Sequence, residues 1–567
     1  MKKIGIILNS TDCSKYLYNT VSELAKSNQV ELFFLLNRGI KTQQGPWQVI
    51  WSAIKTKGLL RFIELGIFKL LTVAEHKFLS IYSERIKERI EEHKKILSIA
   101  DFNKNDIIYL KPIFSNSGLI VRYEEEEIQK IKSFNLDIII RGNATGIFKG
   151  RILRSAKEGI ISFHYGDNRW NRGGPPGFWE VYLRKPSTGF TIQILSEDLG
   201  GGLVLFRGDV STCGSFTENI IKLFNESNPY LAKIILDYAI SGKLPSPEEK
   251  VPFGEPLLIA PSITKSLKYI CFLMGLFFRA LVNRLVLHRH KRWGVAFCAG
   301  SWRDAILQKG LKIKNPPNRF FADPFVVTKN ERTICYVEDY CYKQKKGCIT
   351  AIEIIDNNNY IILGPVIEES FHMSFPFLFE YHQELFMIPE TTESNSIRLY
   401  RCVDFPLKWE FQKDILLDCS AADSMIFEHE ERWWLLTNMA TKGNTDHCSQ
   451  LFAYYSDHPF SNEWIAHDLN PLVFNSANGR NGGILDIESK FPVRVRQKQS
   501  FNSYGCGLTL ARITEITPSS FSEQEIGQIL PNFFPKIKGC HHIHSNGKYT
   551  VYDYVRIETL KQLMQQR

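Results

Sequence analysis

An α/β domain followed by an all-β domain is the fold class this sequence predicts, and three observations predict it. Through about residue 243, short apolar, β-prone runs alternate with helical patterns, the order that builds a Rossmann-type sheet with crossover helices. From about residue 293 helical periodicity almost vanishes, and short strand-like runs are separated by turns. Within that second stretch a loose repeat recurs about every 50 residues, the scale of propeller blades. A chain of 567 residues is too long for one core, so two or three domains are expected, each burying its own apolar interior.

Residues 1 to 243 form the expected α/β domain. KIGIILN, VELFFLLN, DIIYLKPI and LDIIIRG are its first strand candidates, with IISFH and FTIQILS after them. The apolar run in the opening MKKIGIILNS is too short for a signal peptide and reads as a buried first strand. No Gly-rich phosphate-loop pattern is present, so a dinucleotide site is not indicated. Residues 45 to 100 form a helical insertion. On a helical wheel, Arg61, Glu64, Lys69, Thr72, Glu75 and His76 fall on one side of residues 58 to 79 and leave a broad apolar face, suited to a core, a membrane or a partner. Residues 214 to 243 pattern as a closing helix pair.

Residues 244 to 291 are a linker and a basic apolar helix. GKLPSPEEKVPFGEP has the proline content of a domain boundary. Residues 264 to 290 fit an interdomain helix, or one docked on a membrane surface through aromatic and basic side chains. Arg279 and Arg284 interrupt the run at 269 to 287, short of the roughly 18 uninterrupted apolar residues of a span. Residues 292 to 560 hold the repeat, whose landmarks are FFADPFVVTKNERTICYVED, SFPFLFEYHQELFMIPET, SAADSMIFEHEERWWLLTN, NGRNGGILDIESKFPVRVRQ and GCHHIHSNGKYTVYDY. Five such units predict a five-bladed β-propeller, sugar-binding or glycosidase-like.

The net charge of +10 favours anionic partners without selecting one. Basic residues are spread through linker and loops with no recognition helix or stacking platform, so no nucleic-acid role is expected. Twelve cysteines without a C-x-x-C pair argue against a zinc ribbon, a redox motif or a secreted disulfide framework. Reduced thiols and a cytoplasmic location, with peripheral contact at the inner face of the membrane, are the expectation.

The densest set of candidate residues lies between 159 and 195, where His164, Arg172, Gly173, Pro176, Trp179, Thr188, Gly189, Thr191 and Ile192 stand in a fixed frame. That frame resembles the core of the folate-dependent formyltransferases, in which a strand ends in Asn-x-His, a loop carries Arg-Gly and Pro-x-x-Trp, and a Thr-Gly-x-Thr-Ile strand leads to a catalytic Asp. Here Ser162 stands where the Asn is expected and Gly200 where the Asp is expected. The resemblance implies that His164 handles a proton or stabilises an oxyanion, with formyl-tetrahydrofolate as donor. Asp198 and Asp167 are candidates for the missing carboxylate, or turn-forming residues. Asn143 in RGNATG is a candidate donor in place of the family Asn. Arg172, carried on the Gly173 turn, suits a phosphate or carboxylate. Glu180, after Trp179, occupies a place usually filled by a small residue and would remodel the acceptor pocket.

In the second half, Asp323, Glu390 and Asp423 sit at strand ends that converge on the propeller axis. Convergent carboxylates serve glycoside chemistry, sugar binding or the structuring of tight turns. Arg480, His541 and His542 add contacts for an anionic glycan or nucleotide, and the two histidines lack metal-ligand spacing, so no metal is expected. WGVAF, RFFADPF, YVEDY and KKGCI resemble the propeller at the start of plant glucosamine inositolphosphorylceramide transferases over roughly residues 292 to 555, and more distantly the arabinanase-type glycosidases. Together the two resemblances imply an enzyme of surface polysaccharide biosynthesis that formylates the amine of an amino sugar or nucleotide-linked sugar. The alternative is a catalytically altered formyltransferase fold whose propeller binds, transfers or hydrolyses glycan.

Overall fold

A computed structural model describes residues 1–38, 58–102, 107–115, 118–198, 200–440 and 446–559. Residues 45 to 57 of the expected insertion and residue 560 lie outside the described residues. The chain divides into two compact units, residues 1–276 and 277–567.

The first unit is built on a seven-stranded mixed sheet. Its order is Leu203–Ser211, Ser187–Ile194, Ile160–His164, Ile138–Arg141, Lys2–Leu8, Val30–Asn37 and Ile108–Leu110. The last five are parallel and the first two antiparallel to their neighbours. Ile4, Ile6, Ile7, Leu8, Phe34, Leu35, Ile138, Ile139 and Ile140 are buried, the continuous apolar runs that a parallel sheet covered on both faces requires. Each of the six candidate strands forms part of the sheet. The seventh, Leu203–Ser211, was not anticipated: it is an antiparallel edge strand whose Arg207 and Asp209 break the apolar run.

Strand order reverses between Lys2–Leu8 and Ile138–Arg141, the switch point at which open α/β sheets bind ligands beyond the strand ends. Here an amide network closes the crevice: Asn143 Oδ1 accepts from the Asn9 amide at 2.8 Å, Asn9 Oδ1 from Asn37 Nδ2 at 2.9 Å, and Asn37 Oδ1 from the Tyr123 hydroxyl at 2.9 Å.

The insertion supplies two helices, Leu59–Tyr82 and Glu84–Lys94. The closing pair is Phe216–Ser227, N-capped by Ser215, and Pro229–Ser241, opened by proline and stopped by Gly242 at φ 72°. The linker beyond leads to the helix Ile263–Leu281 and a π turn, Val282–Val286. The expected helix is present, and Arg279 and Arg284 interrupt its apolar run without ending it. Ile263–Val286 is a helix long and apolar enough to cross a membrane by length and composition, with 6% of its apolar window buried.

The second unit consists of five antiparallel sheets. Their innermost strands, Arg319–Lys329, Ser374–Tyr381, Ser420–His429, Asn481–Leu485 and Ile543–Ser545, touch in that cyclic order and form a propeller-like ring. The landmark runs of the sequence repeat supply these innermost strands. One sheet joins the two ends of the unit, because Arg289–Ala299 pairs along its whole length with Tyr549–Thr559. The unit's apolar core includes Phe325, Tyr336, Phe375, Phe377, Met387, Met425, Trp434 and Leu436.

Candidate functional site

The ring centre is made by a repeated distortion of the innermost strands. Pairing slips between Ala322 and Phe325, Ser374 and Phe377, Ala422 and Met425, and Asn481 and Ile484. At these bulges Asp323, Phe375 and Asp423 adopt left-handed backbone, with φ of 48°, 45° and 47°, and Gly483 has φ 119°. Asp accepts that conformation more readily than a bulky residue does. Bulges re-aim side chains, and two of these place buried carboxylates in one cluster.

Arg480 Nε donates to Asp423 Oδ2 at 2.6 Å, and its terminal nitrogen reaches Glu390 Oε2 at 3.4 Å. Gln497 Nε2 also donates to Asp423, at 3.0 Å. Across the cluster, His541 lies between two acids, with Nε2 3.5 Å from Asp323 Oδ1 and Nδ1 against Asp553 Oδ2. The backbone amides of His541 and His542 fix the other Asp553 oxygen at 2.8 and 3.0 Å. Trp293 stacks on His541 at 3.9 Å, and Tyr504 stands edge-on to both rings. Glu338 is buried, with His372 Nε2 3.8 Å away.

Burial and crowding set the protonation of these groups. Burial pushes Asp323 up to about 7, with His541 opposing and Asp423 and Asp553 adding to the rise. Burial likewise lifts Asp423 to about 7 against Arg480. Burial and the charges of Asp323 and Glu390 push Glu338 well above the carboxylate range, and Glu390 is raised by burial. Burial pulls His541 down, yet Asp553 and Asp323 outweigh it and raise the imidazole. A centre holding protonated and ionised carboxyls beside an arginine and aromatic rings can both donate to and accept from sugar hydroxyls and pack a sugar's apolar face. Asp323, His541 and Asp553 also offer one ligand atom each within 4.8 Å of one another, a group among the described residues that could hold a metal ion. That group could not be chosen from the sequence, because its ligands lie far apart in the chain.

Thus the structure brings Asp323, Glu390, Asp423 and Arg480 together. Glu338, Asp553, Trp293 and Tyr504 join them without having been singled out. YVEDY offered two acids with no indication of which faces the axis, and Asp553 sits in an apolar strand that reads as core. His542 packs against Phe325 and Phe375 within the core, where burial holds it well below the usual histidine range.

In the first unit, His164 ends the strand Ile160–His164, and its Nε2 lies 2.7 Å from the Asn171 carbonyl. A carbonyl only accepts, so Nε2 carries the proton and Nδ1 presents the lone pair. Burial holds His164 below the usual histidine range, with the Asn171 bond opposing. Asn171 also donates from Nδ2 to Glu180 Oε1 at 3.5 Å. Glu180 is fully buried on the short helix Phe178–Tyr182, its Oε2 unpartnered, and burial lifts it to about 7. His164, Asn171 and Glu180 thus form one connected chain.

The other candidates are placed as follows. Asp167 accepts from Arg169 and from Arg207, each at 2.6 Å, and these outweigh burial to hold it below the carboxylate range. Ser162 bonds the neighbouring Phe163 carbonyl. Asn143 spends its amide on Ser10 and Asp12 carbonyls. Asp198 lines a cleft of about 260 Å³ with Asn168, Arg172, Arg207, Lys250 and Phe253. Arg172 donates to the Asn168 carbonyl at 2.9 Å and lies over the Phe253 ring. Gly200 has φ 61°, and a Cβ there would sit 3.0 Å from Arg172 Cβ, so an Asp would crowd the arginine. Gly173 is obligatory for space: a Cβ would fall 1.7 Å from the Leu258 carbonyl of the linker. Trp179 Nε1 bonds the Gly174 carbonyl at 3.2 Å.

The family described as glucosamine inositolphosphorylceramide transferase 1, N-terminal, matches residues 306–541. The glucosamine inositolphosphorylceramide transferase 1 of Arabidopsis thaliana is 32% identical over 213 residues, covering 37% of this chain and 28% of the plant protein. The chain therefore spans little more than a quarter of the length of these relatives. The methionyl-tRNA formyltransferase of Bacillus cytotoxicus is 28% identical over 139 residues, 23% of this chain and 43% of that protein. Among solved structures, the family 117 glycoside hydrolase Zg3597 of Zobellia galactanivorans aligns over 47% of this chain and 90% of its own, at 8% identity and a TM-score of 0.32.

Proposed function

We propose that this chain is a transferase of glycan metabolism that moves a formyl group from formyl-tetrahydrofolate to the amine of an amino sugar or nucleotide-linked sugar. In this reading the five sheets are the blades of a propeller whose centre holds the sugar, and the protein works in the cytoplasm. The observation that carries the reading is His164: its Nε2–H is committed to the Asn171 carbonyl and burial keeps the ring neutral, which leaves Nδ1 as a base. The bound donor supplies an activated formyl carbon. His164 Nδ1 takes the proton that the attacking amine must lose, and Glu180 steadies Asn171 from behind. Arg172 in the cleft suits the carboxylates of a glutamate-tailed donor.

A second reading rests on Asp323 and Asp423, two buried carboxyls lifted to about 7 in one cluster. Such groups suit acid–base chemistry on a glycosidic bond. One experiment separates the two. The full chain is incubated with formyl-tetrahydrofolate and a panel of nucleotide-linked amino sugars, and products are weighed by mass spectrometry. The first reading expects a formyl mass gain that falls on the order of a hundredfold or more in His164→Ala. Formylation that persists in that variant would sink it. Sugar release or transfer without folate, lost in Asp323→Asn, would establish the second.

A further inference from the structure

Two helices of the first unit expose apolar side chains. On Leu59–Tyr82, Leu59, Ile63, Leu70, Val73 and Ile81 are exposed at three- to eight-residue steps along one face, with Leu70 at 70% and Ile81 at 87%. On the part of Ile263–Leu281 that lies in the first unit, Leu267, Ile270 and Met274 repeat the pattern. Neither helix is loosely attached. Glu75, buried on the first, accepts from the Thr217 amide at 2.8 Å and from the Tyr269 hydroxyl of the second at 3.0 Å. That hydroxyl in turn accepts from the Phe216 amide at 2.7 Å. Arg61 reaches the Ala260 carbonyl at 2.8 Å, and Phe68 packs edge-on against Phe178. Their inner faces are thus fixed to one place, the start of the helix Phe216–Ser227.

On these two helices the exposed charges of the first unit have one sign: Lys69, Lys77, Lys265 and Lys268. The acids of the two helices are withdrawn: Glu64 pairs with Arg61 at 2.8 Å, and Glu75 is buried. Two copies of this face brought together would oppose like charges. An anionic surface would complement them and also accept the apolar stripes.

We propose that these two helices seat the first unit on an anionic lipid bilayer, lying in its interface. The segment Ile263–Val286 is long enough to cross, but Ser266 and Tyr269 are buried and Tyr269 is tied to Glu75. One side of the helix stays on the protein, so lipid cannot surround it. The side chains enter to the depth of the acyl boundary, and the cations meet the headgroups.

The test is flotation of the full chain with vesicles of phosphatidylcholine alone or enriched in phosphatidylglycerol. The chain should float with the anionic vesicles and be released by alkaline carbonate. Leu70→Glu with Met274→Glu should lower the vesicle-bound fraction on the order of tenfold or more, and Lys77→Glu with Lys268→Glu should remove the preference for anionic lipid. Both substitute exposed residues, and an unchanged thermal transition confirms that the fold is kept. Three results would overturn the proposal: no flotation with either vesicle, flotation indifferent to charge, or resistance to carbonate, which marks a spanning helix. Self-association in light scattering, abolished by Leu70→Glu without vesicle binding, would assign the face to a second copy instead.

Discussion

Arg480 touches two of the ring-centre carboxylates at once, and Glu390 and Asp423 have no other arginine beside them among the described residues. Replacing it with methionine keeps the length of the side chain and strands two buried acids. Loss of one partner of a buried pair costs about 3–5 kcal/mol, so Arg480→Met should lower the urea midpoint of the full chain markedly. An unchanged midpoint would mean that the acids are already neutral and need no partner. The reason Arg480 was legible in the sequence, while Glu338 and Asp553 were not, is local. Arg480 lies among glycines and asparagines in a turn-rich run, where a charged side chain stands out. Glu338 and Asp553 lie in strands of otherwise apolar character, and a strand alternates faces without naming the buried one. In the first unit the motif exposed His164 and Glu180 but not the bond between them, because it runs through the backbone and amide of Asn171.

At the scale of the element, the bulges on four of the five innermost strands do the positioning. Asp323 and Asp423 hold φ values that asparagine tolerates and β-branched residues resist. Asp323→Asn should therefore fold normally, whereas Asp323→Val should cost about 1–3 kcal/mol from backbone strain alone. Equal stability of the two variants would show that the carboxylate and not the backbone governs the site. The repeat in the sequence marked these strands because ADPF, SFPF and ADSM put a small or polar residue before an apolar run. The bulges themselves were not legible, since Phe375 occupies the same conformation with an apolar side chain. The helices were plainer. Ser215 before Phe216, Pro229 and Gly242 punctuate the closing pair as capping rules require, and the apolar stripe of residues 58 to 79 was visible on a wheel. Which side of that stripe faces the protein depended on Glu75 and Tyr269 meeting across 194 residues.

At the scale of the whole molecule, the ring's stability should depend on pH through buried groups of both kinds. Asp323 and Asp423 are raised to about 7, and His541 is raised by its flanking acids. For all three the folded state holds the proton more tightly than the unfolded state, so their contribution is present at low pH and is lost as pH rises through the folded values. His372, His447, His542 and His544 act oppositely: burial holds them low, so their contribution grows as pH rises to the ordinary histidine value. The contribution of Asp323 is therefore read as the difference in slope between the chain and Asp323→Asn from about pH 5 to 8. Hydrogen exchange of the innermost strands should report a difference on the order of 1 kcal/mol or more across that interval. An identical slope in that variant would place the titration elsewhere. The two-part organisation was readable from periodicity, but the joining of the two ends was not, since no repeat reveals which strand completes the first sheet.

That joining governs how the chain comes into being. Arg289–Ala299 leaves the ribosome with its partner, Tyr549–Thr559, still unmade. Until the partner arrives, the nascent unit carries an open strand edge of the kind that recruits chaperones or neighbouring chains.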